Sequence, residues 1–417
     1  MKNPRLLLLA LLCAAASASA ERVAITADRL LDVRTGRYIE KPVVIVDGEK
    51  IVEVRSGEPP AGDKVIRFDG LTLVPGLIDM HVHLDADPSY GGYTHYQFND
   101  RFWSVLQVPH ALSTLRAGFT TVRNVGSDAW NDVGLRQAID AGKVVGPRVV
   151  TATYAIGSTG GHCDETYFPP SMKQKGDYVF DGPEEARRRV REVRKYGAQV
   201  IKICATGGVF SLNTEPGQQQ LSLEEMKAVV DEAHLQGLRV AAHAHGTSGI
   251  KDAIRAGVDT IEHASLIDDE GIALAKRMGA WLSMDIYDTE YIQTEGKKNG
   301  TLEENLRKDR EVSDLQRENF RKAHKAGVKM IFGTDAGVYP HGQNARQFAF
   351  MVKYGMTPLE AIRAATVNAS EALGRNDVGV VEKGRFADLV AVKGDPLTDV
   401  TVLENPAAVV KGGVLVK

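Results

Sequence analysis

The sequence predicts an α/β protein: a (β/α)8 TIM barrel with a small β-sandwich domain formed from both chain ends. Three observations predict it. Through the middle of the chain, a helical segment repeatedly ends in Gly and a short apolar strand follows. Both ends instead alternate apolar and polar residues with the two-residue period of a half-buried strand. Histidines and single charged residues fall where the central strands end, which is where such barrels carry their chemistry.

In chain order, residues 1–20 read as a secretory signal peptide. Lys2 and Arg5 form a basic start, Leu6 to Ala16 is an apolar run too short to span a bilayer comfortably, and Ala18-Ser19-Ala20 is a small-residue cleavage site. An uncleaved anchor is the alternative. Leu12 before Cys13 is too large for a lipoprotein site. Removing Lys2 and Arg5 leaves 49 basic against 54 acidic residues, so nothing argues for nucleic acid or an anionic membrane. With 43% hydrophobic and 25% charged residues, the rest is globular, and no other segment reads as transmembrane. Cys163 and Cys204 alone make no disulfide framework, so the core is expected to carry stability by itself.

Residues 21–75 form the first part of the sandwich. Val23-Ala24-Ile25, Val43 to Val46 and Lys50 to Val54 are its strands, and Asp47-Gly48 marks a hairpin. Residues 376–417 form the second part, with strands around Gly384 to Val390, Ala408 to Val410 and Val414 to Val416. Between them, residues 76–375 hold eight strands: the run from Val74, then those starting near Phe119, Arg148, Gln199, Arg239, Thr260, Trp281 and Lys329. Ser222 with Glu225, and Thr357 with Pro358 and Glu360, mark helix starts as capping boxes. A doubly wound open sheet is the runner-up, but no glycine-rich phosphate loop follows an early strand. The charged, Gly-containing stretch 285–310 reads as a solvated loop, or else as a lid or assembly surface.

Val74-Pro75-Gly76-Leu77-Ile78-Asp79-Met80-His81-Val82-His83 is the informative strand. Side chains at i and i+2 share a face, so His81 and His83 project together: half of a metal site, or a pair of structural histidines. Lys202 lies near the end of the fourth strand, His243 ends the fifth, His263 ends the sixth, and Asp335 follows the eighth. All six share one rim. Lys202 sits in an apolar strand, where burial lowers the amine's pKa. A neutral amine can take up carbon dioxide as a carbamate, a carboxylate on a long stem able to bridge two cations; an ion pair with a nearby Asp or Glu is the other reading. Nitrogen and oxygen donors without thiolate suit zinc, with manganese or cobalt also compatible.

The Pro-Gly-Leu-Ile-Asp-Met-His-Val-His stretch resembles the signature of the metal-dependent amidohydrolase superfamily, and Gly384 to Val390 resembles its closing β-domain motif. Lys202, Gly160-Gly161-His162 and His243-Ala244-His245-Gly246 resemble the Xaa-Pro dipeptidase branch, most of all its ochratoxin-hydrolysing members. The resemblance implies two zinc ions bridged by carbamylated Lys202. It assigns His81, His83 and Asp335 to one ion and His243 and His263 to the other. His162 and His245 are then expected at the substrate carbonyl and its oxyanion, with Asp335 as proton shuttle; His245 as a helix cap is the plainer alternative. Cys163 stands where the pattern has Gly. The implied substrate is a small-molecule amide or dipeptide, and the implied assembly a homo-oligomer. His95, His110, His234 and His324 read as surface or packing residues, and His341 is undecided. A mononuclear deaminase or cyclic-amide hydrolase competes, against Lys202 and against Gly246 where a Glu would stand. A non-enzymatic zinc-binding protein competes against the complete ligand set.

Overall fold

The computed structural model describes residues 22–417, so the expected leader lies outside the described residues. The chain opens with strands β1 (Val23–Asp32), β2 (Arg37–Glu40), β3 (Pro42–Asp47), β4 (Lys50–Ser56) and β5 (Lys64–Pro75). The central strands are β6 (Leu77–Val82), β7 (Phe119–Asn124), β8 (Arg148–Thr151), β9 (Val200–Cys204), β10 (Arg239–Ala244), β11 (Thr260–His263), β12 (Trp281–Ser283) and β13 (Met330–Ile331). The chain closes with β14 (Leu389–Lys393), β15 (Ala408–Lys411) and β16 (Val414–Leu415). Helices α1 (Asp100–Arg116), α2 (Asn131–Asp140), α3 (Pro183–Lys195), α4 (Leu223–Leu235), α5 (Thr247–Ala256), α6 (Asp269–Met278), α7 (Asp288–Glu295), α8 (Glu303–Ala326), α9 (Arg346–Lys353), α10 (Pro358–Ala364) and α11 (Val367–Ala372) follow the central strands.

The two chain ends meet in one hydrogen-bonded sheet of order β16-β15-β14-β5-β1-β3-β4, with β2 paired to β1. β14 runs antiparallel to β5, Leu389 opposite Pro75. Alternation along the strands puts Ile25, Val44 and Val46 in one apolar cluster and Ala24, Val43 and Ile45 in another. The β3–β4 hairpin turns through Gly48 at φ +58°, the left-handed backbone such turns require. Asp388 ties this sheet to the barrel. Its carboxylate accepts from Arg148 and from Gly412 N–H, and its carbonyl accepts from Gly76 N–H. Gly76 must be Gly, because a Cβ there would lie 2.2 Å from Thr120 Oγ1.

The eight central strands are parallel, as expected of a barrel. β6-β7-β8 and β9 to β13 are the two continuous ladders. The barrel closes through isolated bridges: Val82 with Ala336, and Ile156 with Ile203. Ile201, Val240, Ile261, Leu282 and Phe332 belong to the large cluster formed with the helices. Each such side chain contributes about 1.5–3 kcal/mol on burial. Both expected capping boxes form, at Ser222 and Thr357.

The stretch 285–310 corrects the loop expectation: it holds α7 and the first turns of α8. Neither helix has a side-chain N-cap, so the usual start signal is missing. Glu303 and Glu304 instead put negative charge on the first turn of α8, where the helix dipole favours it.

Candidate metal centre and active site

The barrel brings the expected residues to one rim. His81 and Lys202 project from β6 and β9, both nearly inaccessible. Asp335 follows β13. Its Oδ1 lies 3.3 Å from His81 Nε2 and 3.3 Å from His83 Nε2, yet makes no hydrogen bond to either. Two imidazole nitrogens and a carboxylate oxygen thus converge on one point without a well-formed hydrogen bond among them, an arrangement a cation would satisfy. Burial alone would raise the Asp335 pKa, but the two imidazoles hold it well below the usual range. Lys202 Nζ sits 3.5 Å from His81 Nε2. Among the described residues it makes no ion pair, against the reading of a carboxylate-paired lysine. Burial pulls its amine down to about 8, so a neutral fraction exists at ordinary pH.

A second cluster joins the first. His243, His245 and His263 offer ring nitrogens within 4.8 Å of one another, as do His81, His263 and Asp335. The His162 ring stacks on His243 at 4.1 Å. Burial, with neighbouring imidazoles, keeps His243 and His245 neutral, and burial brings His162 down to about 3. His263, Ala264 and Asp335 have φ of +71°, +50° and +54°. Left-handed backbone costs a non-glycine residue roughly 1–2 kcal/mol, and this strain gathers where the donors are aimed. Close approach is also enforced by Gly208, where a Cβ would lie 2.4 Å from His162 Cε1 and 2.8 Å from His243 Nε2.

Supporting residues that the sequence did not reveal surround these donors. Glu262 Oε2 lies 3.3 Å from His81 Nδ1, and Glu262 Oε1 accepts from Arg123 at 2.7 Å, inside the barrel. Asp285 accepts from His263 Nδ1 at 2.7 Å and from Gln316 at 2.9 Å. Asp285, Asp288 and Asp335 form a third group of close oxygens. Glu262 and Arg123 were discernible as charges within apolar strands; Asp285 carried no such signal. His341 Nε2 donates to the carbonyls of His83 and Ala86 at 3.1 and 3.2 Å, so it supports the His83 backbone. His95, His110, His234 and His324 lie outside the cluster. They stack on Trp103 or pair with Asp87, Asp259 and Glu360.

Cys163 and Cys204 overturn one expectation: they form a disulfide. It staples the loop carrying His162 to the end of β9, two residues beyond Lys202. Cys204 lies inside an apolar strand and Cys163 in a loop 41 residues earlier, so only the fold brings them together.

The amidohydrolase family model matches residues 72–416, from the end of β5 to the last strand. The chain belongs to the amidohydrolase family. Ochratoxinase of Aspergillus niger is 33% identical over an alignment 440 positions long that covers 96% of this chain and 88% of that protein. A crystal structure of a Xaa-Pro dipeptidase with bound methionine in the active site superposes with TM-score 0.89 at 37% identity, covering 94% of this chain and 99% of that one. The crystal structure of A. niger ochratoxinase gives TM-score 0.84 at 31% identity, covering 96% of each. These matches place the protein in the prolidase-like branch of the superfamily as a hydrolase of amide or peptide C–N bonds. Members of this family are typically metal-dependent, and the His and Asp clusters above are able to bind metal.

Proposed function

We propose that the protein is a secreted dinuclear zinc amidohydrolase. Its substrates are N-acyl amino acids or dipeptides that release a Pro- or Phe-like residue, with ochratoxin A a candidate. The observation that carries this reading is the convergence of His81 Nε2 and His83 Nε2 on Asp335 Oδ1, beside a buried Lys202 that makes no ion pair among the described residues. His81, His83 and Asp335 would hold one ion, His243 and His263 the other, with Lys202 as a bridging carbamate. Divalent cations held by these residues would supply a water of lowered pKa and a polarised carbonyl. Asp335 would take the proton of the attacking water and deliver it to the leaving nitrogen. His162 and His245 donate to the oxygen on which charge develops.

The competing deaminase reading wants a Glu at position 246. That position is closed: a Cβ on Gly246 would lie 2.4 Å from the Gly217 carbonyl oxygen. Export is supported by the basic start, short apolar run and Ala-Ser-Ala of residues 1–20, and by the disulfide, which persists in oxidising compartments. No helix among the described residues is long and apolar enough to cross a membrane. A homo-oligomer is proposed on the family resemblance alone.

The test is a screen of metal-loaded enzyme on Xaa-Pro dipeptides, N-acyl-Phe, N-acyl-Pro and ochratoxin A, read as amine release. Turnover on at least one of them is expected. Inertness on all of them, with efficient lactone opening or purine deamination instead, would overturn the proposal.

A further inference from the structure

The histidines of the rim divide by what their remote ring nitrogen meets. His83 Nδ1 donates to the Gly126 carbonyl at 3.1 Å, and His263 Nδ1 to the Asp285 carboxylate at 2.7 Å. His81 Nδ1 faces the Glu262 carboxylate at 3.3 Å, and His243 Nε2 faces the Gly207 carbonyl at 3.3 Å. The partners of His83, His263 and His243 accept only, so in those three rings the remote nitrogen carries the proton and the opposite nitrogen is left bare for a cation, while His81 Nδ1 faces its carboxylate without a well-formed hydrogen bond.

His162 and His245 differ. His162 Nδ1 lies 2.9 Å from Ser211 Oγ, and His245 Nδ1 lies 2.7 Å from Ser265 Oγ. Hydroxyls can donate. Ser265 is fully buried, and His245 is the one partner of its hydroxyl among the described residues. Its proton therefore goes to Nδ1, since otherwise a buried O–H is left unmade. Ser211 Oγ also lies 2.6 Å from Thr214 Oγ1 and 3.4 Å from the Gly208 carbonyl. With Thr214 donating to Ser211, the Ser211 proton goes to the nearer His162 nitrogen. One helix holds both serines: Lys308 on α8 donates to the Ser211 carbonyl at 2.7 Å, and Asn319 on α8 donates to the Ser265 carbonyl at 2.8 Å.

We infer that Ser211 and Ser265 are positioning residues that fix His162 and His245 in the Nε2–H tautomer, making both rings hydrogen-bond donors to the substrate rather than metal ligands. This rests on the proposed function for the use of those donors, but not for the tautomers themselves. It also separates His245 from the metal-binding role that its closeness to His243 and His263 would otherwise allow.

The test uses metal-loaded enzyme carrying ring-15N histidine, with His162→Gln and His245→Gln to assign the signals. Both rings should be protonated at Nε2 and bare at Nδ1. Ser211→Ala and Ser265→Ala should each lower kcat about 10–100-fold, because an imidazole in the wrong tautomer loses most of its catalytic value. KM and metal content should stay within about twofold. Ser211→Thr and Ser265→Thr keep the hydroxyl and should restore kcat to within about threefold. Nδ1–H signals for these rings in the parent enzyme would overturn the inference, and that spectrum decides even if a serine variant fails to fold. So would an unchanged kcat in both alanine variants, or folded threonine variants no better than alanine. Nε2–H rings in an enzyme inert on every amide would leave the tautomers standing and remove the proposed function instead.

Discussion

The Cys163–Cys204 bridge can be broken without touching any proposed ligand, and the consequence can be worked from its place in the chain. The cysteines are 41 residues apart, enclosing the later part of the loop after β8, α3 and β9. Opening a loop of that length returns chain entropy to the unfolded state worth about 4 kcal/mol. Unfolding entropy of roughly 2.1 cal/mol/K per residue over a chain of this size turns that into a Tm drop of about 5 °C. Activity should suffer as well, because His162 adjoins Cys163 and loses one of its tethers. The others remain: Gln220 accepts from its N–H at 2.8 Å, and Ser211 holds its ring. Loss of a single oxyanion donor costs about 10²–10³ in kcat, so a Cys163→Ser/Cys204→Ser enzyme should fall short of that. Thermal unfolding and turnover of the double variant, beside thiol titration of the native and denatured parent, make the assay. A double variant matching the parent in both Tm and kcat would rule out a stabilising bridge, as would two free thiols in the parent protein.

Three further outcomes follow. Gly208→Ala puts a methyl where the His162 and His243 rings lie, so kcat should drop at least about tenfold with metal loss, while circular dichroism stays that of the parent. Asp335→Asn keeps the shape but loses the proton acceptor, so amide turnover should fall by about 10³ or more; a near-normal rate would reassign the shuttle. Asp132 is fully buried, accepts from Thr153 N–H and Val133 N–H, and is raised by burial to about 7. A raised carboxyl favours the protonated folded state, so its contribution to stability falls as pH rises from about 4 to 7, by at most about 1.4 kcal/mol per pH unit. Asp132→Asn should flatten that decline in denaturation curves taken across the window, and a steeper decline would contradict the assignment.

Much of this was legible in the sequence because barrel chemistry obeys position. Each short apolar strand after a glycine could be placed, so a histidine, lysine or aspartate at its end could be assigned to one rim. His81, His83, Lys202, His243, His263 and Asp335 come together for that reason. What stayed hidden depends on pairing across the barrel. Arg123 and Glu262 stand out as charges in apolar strands, but their partnership under His81 requires β7 and β11 to face each other. Asp285 reaches His263 from a neighbouring strand end, and Cys163 finds Cys204 through a loop. Helices α7 and α8 were hidden because Tyr287 and Leu302 occupy their starts, where no side-chain cap signals a helix.

Two cations on this rim, bridged by Lys202, are proposed to serve amide hydrolysis. The measurement is a zinc titration of metal-stripped protein in bicarbonate buffer, reading bound metal and amide turnover together, for the parent and for Lys202→Ala. Turnover should rise to a plateau near two zinc per chain. In Lys202→Ala, at least one ion and most of the activity should be lost, with partial recovery on adding a short carboxylic acid. Full turnover with no metal or with one, or a Lys202→Ala enzyme with the parent's metal content and rate, would contradict that proposal.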